Sequence, residues 1–338
     1  MDLSDKIFVA GHTGLVGSAL VRRLKAAGYH NLLLRTRAEL DLRDAGAVRD
    51  FFSENRPRYV FLAAAKVGGI FANQTLPADF IFDNLRIQTN VIDDSCRSGV
   101  ERILFLGSSC IYPKRAPQPL REESWLGGPL EPSNRAYAVA KIAGMEMGWA
   151  YNRQHGTRFV AAMPTNLYGP GDRYDPNHSH LIPALIRKMH EAKTKGLNEV
   201  VIWGTGTPRR EFLHSEDAAD ACIFLMNLPP EPFQQLAGQE DLPPLVNVGC
   251  GEDMTVREIA ELVAEIVGIA PTFIFDASKP DGTPRKLLDV GRLAALGWKP
   301  RISLREGLRQ TYDDFCSRAT QLRPGGGGPS TPVTQCVS

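Results

Sequence analysis

Residues 9–17 read VAGHTGLVG, closing the first apolar run of the chain and opening its first amphipathic segment. Glycines at 11, 14 and 17 allow a tight turn, close approach of a pyrophosphate and close helix–strand packing. The helix N-terminus behind them offers oriented N–H groups and the positive end of a dipole to phosphate. Three glycines alone constrain little. A strand before them and a helix after them, in the first strand–helix–strand unit, make the turn a dinucleotide site.

The alternation continues through the first half of the chain. Strands are expected at 6–11, 31–37, 58–65, 101–109 and 158–171, the last running into a loop, and helices at 17–28, 45–55, 78–99 and 133–156. Ser133 stands as N-cap of the fourth helix and Gly156 just past its end. Near-continuous apolar strands alternating with helices predict an α/β fold, a doubly wound parallel sheet covered on both faces. Beyond residue 172 the pattern turns irregular, with helices in LIPALIRKMHEAKTKG, TVREIAELVAEIVG and LREGLRQTYDDFCSRA and a short strand in PTFIFD. The expected organisation is a cofactor domain over 1–172, with residues near 204–228 returning to it, and a smaller C-terminal α/β substrate domain over 173–320. The tail 321–338 is Gly, Pro, Ser and Thr with too little apolar surface to order itself.

Composition narrows the function. Lys plus Arg is 39 against 38 for Asp plus Glu, a formal net charge of +1, so a polyanion surface for nucleic acid is not expected. The start MDLSDKIFVAG has no basic lead and no apolar stretch long enough for a signal peptide. No apolar run reaches the ~18 residues of a membrane span. Cysteines 96, 110, 222, 250, 316 and 336 show no metal-type spacing. Reduced thiols in a cytoplasmic protein, with no metal site, are the expectation.

The end of the second strand selects the dinucleotide. An acidic residue there would bind the ribose hydroxyls and repel a 2′-phosphate. This chain offers Arg35-Thr36-Arg37, and guanidinium engages a phosphomonoester bidentately. NADP(H) is therefore the expected cofactor.

The fourth strand ends in LGSSCIYP, residues 106–113. Two hydroxyls and a thiol there could serve acyl transfer, form half of a metal site or face a cofactor as hydrogen-bonding groups. No GxSxG elbow surrounds the serines, which counts against a hydrolase. Downstream, AYAVAK sets Tyr137 and Lys141 four residues apart on one helix face. Glycine turn, serine strand end and Tyr-x-x-x-Lys together resemble the extended, nucleotide-sugar-modifying branch of the short-chain dehydrogenase/reductase superfamily. That resemblance implies a Rossmann sheet and a ketone reduction in which Tyr137 donates the proton, Lys141 lowers the tyrosine pKa and Ser108 orients the carbonyl.

The longer runs GSSCIYPK, AYAVAKIAG, MPTNLYGP, NHSHLIPA and GTGTPRREFLH resemble the GDP-L-fucose synthase family over residues 6–318. What the resemblance implies is epimerisation at C3 and C5 of GDP-4-keto-6-deoxy-D-mannose, then NADPH reduction of the C4 ketone. The epimerisation needs two proton-exchange groups titrating near neutrality, and thiol and imidazole suit it. In the family those roles match Cys110 and His180, with His178 a competitor by spacing. The resemblance also places Gly11, His12, Thr13, Gly14, Leu15, Val16, Gly17, Arg35, Arg37, Asp41, Leu42, Ala64, Ala65, Leu106, Gly107, Lys141, Pro164, Thr165, Asn166, Leu167 and His180 along the dinucleotide. Ser108, Lys188, Trp203, Arg210 and Asp281 fall on the GDP-sugar, although Asp281, in the turn KPDGTPRK, is equally a turn former. Thr13 stands where the family often carries an arginine that adds a 2′-phosphate contact. Helices 78–99 and 133–156 resemble those through which the superfamily forms homodimers. Two rivals remain: an epimerase of the same superfamily that keeps its cofactor and dispenses with Cys110 and His180, and a non-catalytic dinucleotide-binding regulator, which would have lost Tyr137 or Lys141.

Overall fold

The computed structural model describes residues 1–175, 179–238, 240–279 and 281–321; His178 and the tail from residue 322 lie outside the described residues. The buried strand β1 (Ile7–Ala10) leads through the glycine turn into α1 (Leu15–Ala26). β2 is only Leu32–Leu33 rather than the expected 31–37, because the chain folds into a turn in which the Thr36 N–H and hydroxyl both donate to Glu39. α2 (Ala45–Asn55) starts on Asp44, whose carboxylate accepts from the Gly46 and Ala47 N–H groups. There follow β3 (Tyr59–Leu62), the short α3 (Ile70–Thr75), α4 (Pro77–Arg97), β4 (Arg102–Leu106) and α5 (Arg135–His155). Ser133 is not the cap of α5: it lies in a 3-10 turn, Pro132–Asn134, and Asn134 is the last residue before the helix. Gly156, at φ +66°, ends α5 as expected.

β5 (Phe159–Pro164) stops at its proline, and the chain crosses to a second sheet as β6 (Asn166–Tyr168), so the single strand expected over 158–171 is two. The remainder runs α6 (Leu181–Lys195), β7 (Glu199–Trp203), β8 (Arg209–His214), α7 (Ser215–Met226), α8 (Pro230–Ala237), β9 (Leu245–Val248), β10 (Asp253–Thr255), α9 (Val256–Val267), β11 (Thr272–Asp276), β12 (Arg285–Lys286), α10 (Gly291–Ala295) and α11 (Leu304–Gln321). Thr255 and Glu258 close a reciprocal capping box on α9.

The main sheet has the order β2-β1-β3-β4-β5-β9, every pair parallel. Winding reverses between β1 and β3, and ligands of open α/β sheets bind beyond the carboxyl ends of the strands at such a point. Gly11, Ala64 and Ala65, Ser108 and Thr165 all follow strand ends on that edge. One apolar core lies between this sheet and α1, α7 and α8, and another on its opposite face under α2, α4 and α5. A third packs α6, α9 and α11 together. In the second sheet β8 pairs with β6 and β12 in parallel and with β10 antiparallel, while β7 and β11 pair separately.

Glu211 ties the two sheets together. It is wholly buried, and its carboxylate accepts from the backbone N–H of Cys250 (2.6 Å), Gly251 (2.8 Å) and Leu288 (2.9 Å). Its carbonyl takes the Thr165 hydroxyl and the Asn166 amide, fixing the crossing from β5 to β6. Burial pushes this carboxyl above its ordinary pKa, and the backbone donors oppose that shift. Among the described residues no helix is long and apolar enough to cross a membrane.

Candidate active site

The glycine turn has the shape a diphosphate needs. Gly11 sits at φ +85°, a region open to glycine. At Gly17 a Cβ would collide with the Gly11 carbonyl, so α1 lies directly against the turn. α1 starts just after Gly14 with no side-chain cap and no acidic residue in its first turn, and the buried His12 Nδ1 lacks a protein partner. Uncapped helix N–H groups and an unpartnered ring nitrogen fit a dinucleotide phosphate. Gly17→Ala is therefore expected to cost about 1–3 kcal/mol of stability by overpacking and to weaken NADPH binding; urea unfolding with and without NADPH reads both, and wild-type values would refute the close approach.

At the expected 2′-phosphate position the arginines are already engaged. The Arg35 guanidinium lies 5.7 Å from the Phe51 ring centroid and donates to the Leu34 carbonyl. Arg37 is 3.7 Å from Asp41, and Asp41 also holds Arg43. These neighbours bring the Asp41 carboxyl down to about 2, the Arg43 hydrogen bond first among them.

The catalytic candidates converge at the end of β4. Lys141 is buried and its Nζ donates to the Leu106 carbonyl at 2.7 Å, 5.9 Å from the Tyr137 ring centroid. The Ser108 hydroxyl hydrogen-bonds Tyr137 and accepts the Cys110 N–H at 3.2 Å. The sulfur of Cys110 in turn accepts from Asn134 Nδ2 at 3.1 Å and Lys286 Nζ at 3.4 Å.

The net effect of its surroundings is to raise the Tyr137 pKa. Burial, then the neighbouring Cys110, pushes Tyr137 well above its usual value, and only the Ser108 hydrogen bond opposes them. The lysine cannot compensate, because its ammonium is turned to Leu106 and burial alone brings it down from 10.5 to about 7. The cleft thus stores a neutral tyrosine beside a lysine that gives up its proton near neutrality.

The unfolded chain protonates Lys141 below 10.5 while the folded chain does so only below about 7. The unfolded state then binds more protons between those limits, so Lys141 costs stability progressively as pH falls across that window and no further below it. Urea unfolding should show Lys141→Met gaining on the wild type as pH is lowered from 10.5 to 7; a constant difference would refute the buried, depressed lysine.

The remaining candidates are placed unevenly. His180 is the residue before α6 and makes no side-chain cap bond. His180 is exposed, yet the protein packed around it lowers its pKa, and the Lys286 charge adds to this. Lys188 Nζ lies 5.5 Å and Lys279 Nζ 5.6 Å from the ring centroid of the exposed Trp203. Lys188 also donates to the Val201 carbonyl. Arg210 donates to the Asp281 carbonyl at 3.0 Å. The Asp281 carboxylate accepts from the Thr205 N–H at 2.7 Å and its hydroxyl at 2.9 Å, tying its loop to the one that follows β7. Asn134, Lys279 and Lys286 were not among the expected site residues; Lys286 lay in view in KPDGTPRK, but nothing local tied it to Cys110.

A parallel sheet with a glycine turn at its switch point, and a Ser–Tyr–Lys cluster at the end of its fourth strand, define a dinucleotide-dependent enzyme of the short-chain dehydrogenase/reductase type. Residues 7–235 match the model of the NAD dependent epimerase/dehydratase family. GDP-L-fucose synthase 1 of Arabidopsis thaliana is 57% identical over 321 residues, covering 94% of this chain and 96% of the relative. GDP-L-fucose synthase of Escherichia coli (strain K12) is 52% identical over 319 residues, covering 94% and 99%. The crystal structure of a GDP-L-fucose synthetase from Naegleria fowleri bound to NADP superposes with a TM-score of 0.85 at 28% identity, covering 96% of each chain. The chain belongs to the NAD dependent epimerase/dehydratase family and, within it, to the GDP-L-fucose synthases.

Proposed function

We propose that the chain converts GDP-4-keto-6-deoxy-D-mannose to GDP-L-fucose, exchanging protons at C3 and C5 and then reducing the C4 ketone with NADPH. The observation that carries this reading is Cys110 joined to the Ser108–Tyr137 pair at the end of β4, in a chain 52% and 57% identical to synthases of that name. A retained-cofactor epimerase has no use for a thiol there.

When bound, NADPH supplies the hydride for C4. The turn from Gly11 to Gly17 would hold its diphosphate, Arg35 and Arg37 its 2′-phosphate, and Pro164, Thr165, Asn166 and Leu167 would border the nicotinamide. Ser108 and Tyr137 bind the C4 oxygen; as negative charge develops there, Ser108 stabilises it and Tyr137 gives up its proton. Lys141, which releases a proton near neutrality, reprotonates Tyr137. The same oxygen contacts stabilise the enolate during epimerisation, when Cys110 and His180 take a proton from one face of each carbon and return one to the other. Lys188 and Arg210 neutralise the diphosphate and Trp203 offers its ring to the base.

We read residues 1–172 as the part that holds the dinucleotide, supported by α7 of the returning segment and by β9, which pack on its sheet, and the segment from residue 173 as the part that carries the sugar nucleotide. We also place the protein in the cytoplasm as a homodimer. Cys96, Cys110, Cys222 and Cys250 form no disulfide, and α4 and α5 carry the exposed apolar side chains Phe82 and Val139. A sedimentation mass of 37.2 kDa would count against the dimer.

The deciding assay combines purified protein, NADPH and GDP-4-keto-6-deoxy-D-mannose, with the sugar product identified. GDP-L-fucose is the expected product. An unepimerised 6-deoxy sugar would leave a reductase alone, and no NADPH consumption would reject both steps.

A further inference from the structure

Cys110 faces a recess whose walls include Lys114, Glu131, Asn134, Arg285 and Lys286. The charges in that wall are not equivalent. Lys114 pairs with Glu131 at 2.9 Å, and Arg285 pairs with Asp253 at 2.5 Å. Among the described residues no carboxylate pairs with Lys286, whose ammonium instead donates to Cys110 Sγ at 3.4 Å. Asn134 donates to the same sulfur at 3.1 Å, and its own Oδ1 is buried with no partner.

A sulfur that accepts from an ammonium and an amide is held as an acceptor, the role in which a thiolate gains most. β12 makes this possible by pairing with β8 so that Lys286 lies opposite Arg210, beside the residues assigned to the sugar nucleotide. We infer that Lys286 is a positioning residue for epimerisation: its ammonium holds Cys110 as the proton-accepting thiolate, with Asn134 fixing the direction of the sulfur. The inference rests on Cys110 being a proton-exchange group.

The other charged and titratable groups around the sulfur fit this assignment. Tyr137 on α5 stays neutral because it is buried, the Lys114–Glu131 pair cancels internally, Asp253 is shared by Arg285 and Arg209 so that one positive charge is left over on that side, and His180 at the head of α6 feels the same Lys286 charge. An ammonium that makes imidazolium more acidic helps the histidine return a proton to carbon, as it helps the thiolate take one. Lys286 does not itself exchange a proton with the sugar.

The test reads the ligand-free protein first. The iodoacetamide alkylation rate of Cys110 is followed against pH, with Cys110→Ser supplying the background of the other thiols. Lys286→Met is expected to raise the midpoint by about one pH unit or more, the shift typical of losing an adjacent opposite charge, while Lys286→Arg restores most of it. In the same variants, incorporation of solvent deuterium into GDP-4-keto-6-deoxy-D-mannose should slow by at least about tenfold in Lys286→Met, with NADPH affinity unchanged. Should Lys286→Met lose NADPH binding, Lys286→Gln is read by the same criteria. An unchanged alkylation midpoint overturns the inference even if activity is lost, because Lys286 would then only bind substrate. Deuterium exchange that survives Cys110→Ser would instead overturn the role given to Cys110.

Discussion

Tyr137→Phe should reduce the C4 ketone about a hundred- to ten-thousandfold more slowly than the wild type, the usual range for removing a positioned proton donor. The variant keeps the ring, which packs edge-on to Phe80 with centroids 6.4 Å apart. It also keeps Lys141 in place, since the ammonium is anchored on the Leu106 carbonyl and not on the phenol. NADPH affinity should therefore be unchanged and the loss should fall on kcat. The Ser108 hydroxyl remains to support the enolate, so deuterium incorporation should fall less than reduction does. Single-turnover oxidation of NADPH separates the two steps, and reduction within a factor of ten of wild type would show that another group protonates the C4 oxygen.

Cys110→Ser should have the opposite signature. The oxygen can still accept from Asn134 and Lys286, so the local structure has no reason to change. A serine hydroxyl does not ionise near neutrality, and a proton-exchange group lost in this way costs about a hundred- to ten-thousandfold. Deuterium incorporation should collapse, while the ketone stays reducible and any product appears as the unepimerised 6-deoxy sugar. Epimerised product formed at the wild-type rate would exclude Cys110 as a proton-exchange group and return the retained-cofactor epimerase to consideration.

Much of the cofactor half was legible because its signals are local. The turn from Gly11 to Gly17, the helix face shared by Tyr137 and Lys141, and the Gly156 helix stop each depend on residues a few positions apart. The misreadings fall where a non-local partner decides. The second strand is the exception: it shrank to Leu32–Leu33 through a local capture, Glu39 accepting the Thr36 N–H three residues back in the same turn. The fifth strand broke at Pro164 because Glu211 offers its carbonyl to Thr165 and Asn166 across to another sheet. For the tyrosine and lysine, spacing shows that the two side chains share a helix face, but not that one is turned to the Leu106 carbonyl in a buried cleft whose desolvation pushes Tyr137 up and Lys141 down.

The doubly wound sheet, its dinucleotide turn and the Ser–Tyr–Lys and cysteine candidates are readable from neighbouring residues, because periodicity, glycine placement and motif spacing are local properties. What surrounds Cys110 arises only on folding. Lys286 reaches its sulfur from 176 residues away, on the two-residue strand Arg285–Lys286. A strand that short leaves no period to read, and its place is fixed by backbone pairing with β8 rather than by any preference of its own residues. The desolvation that sets the charges of Tyr137 and Lys141 likewise exists only once the chain has closed around them.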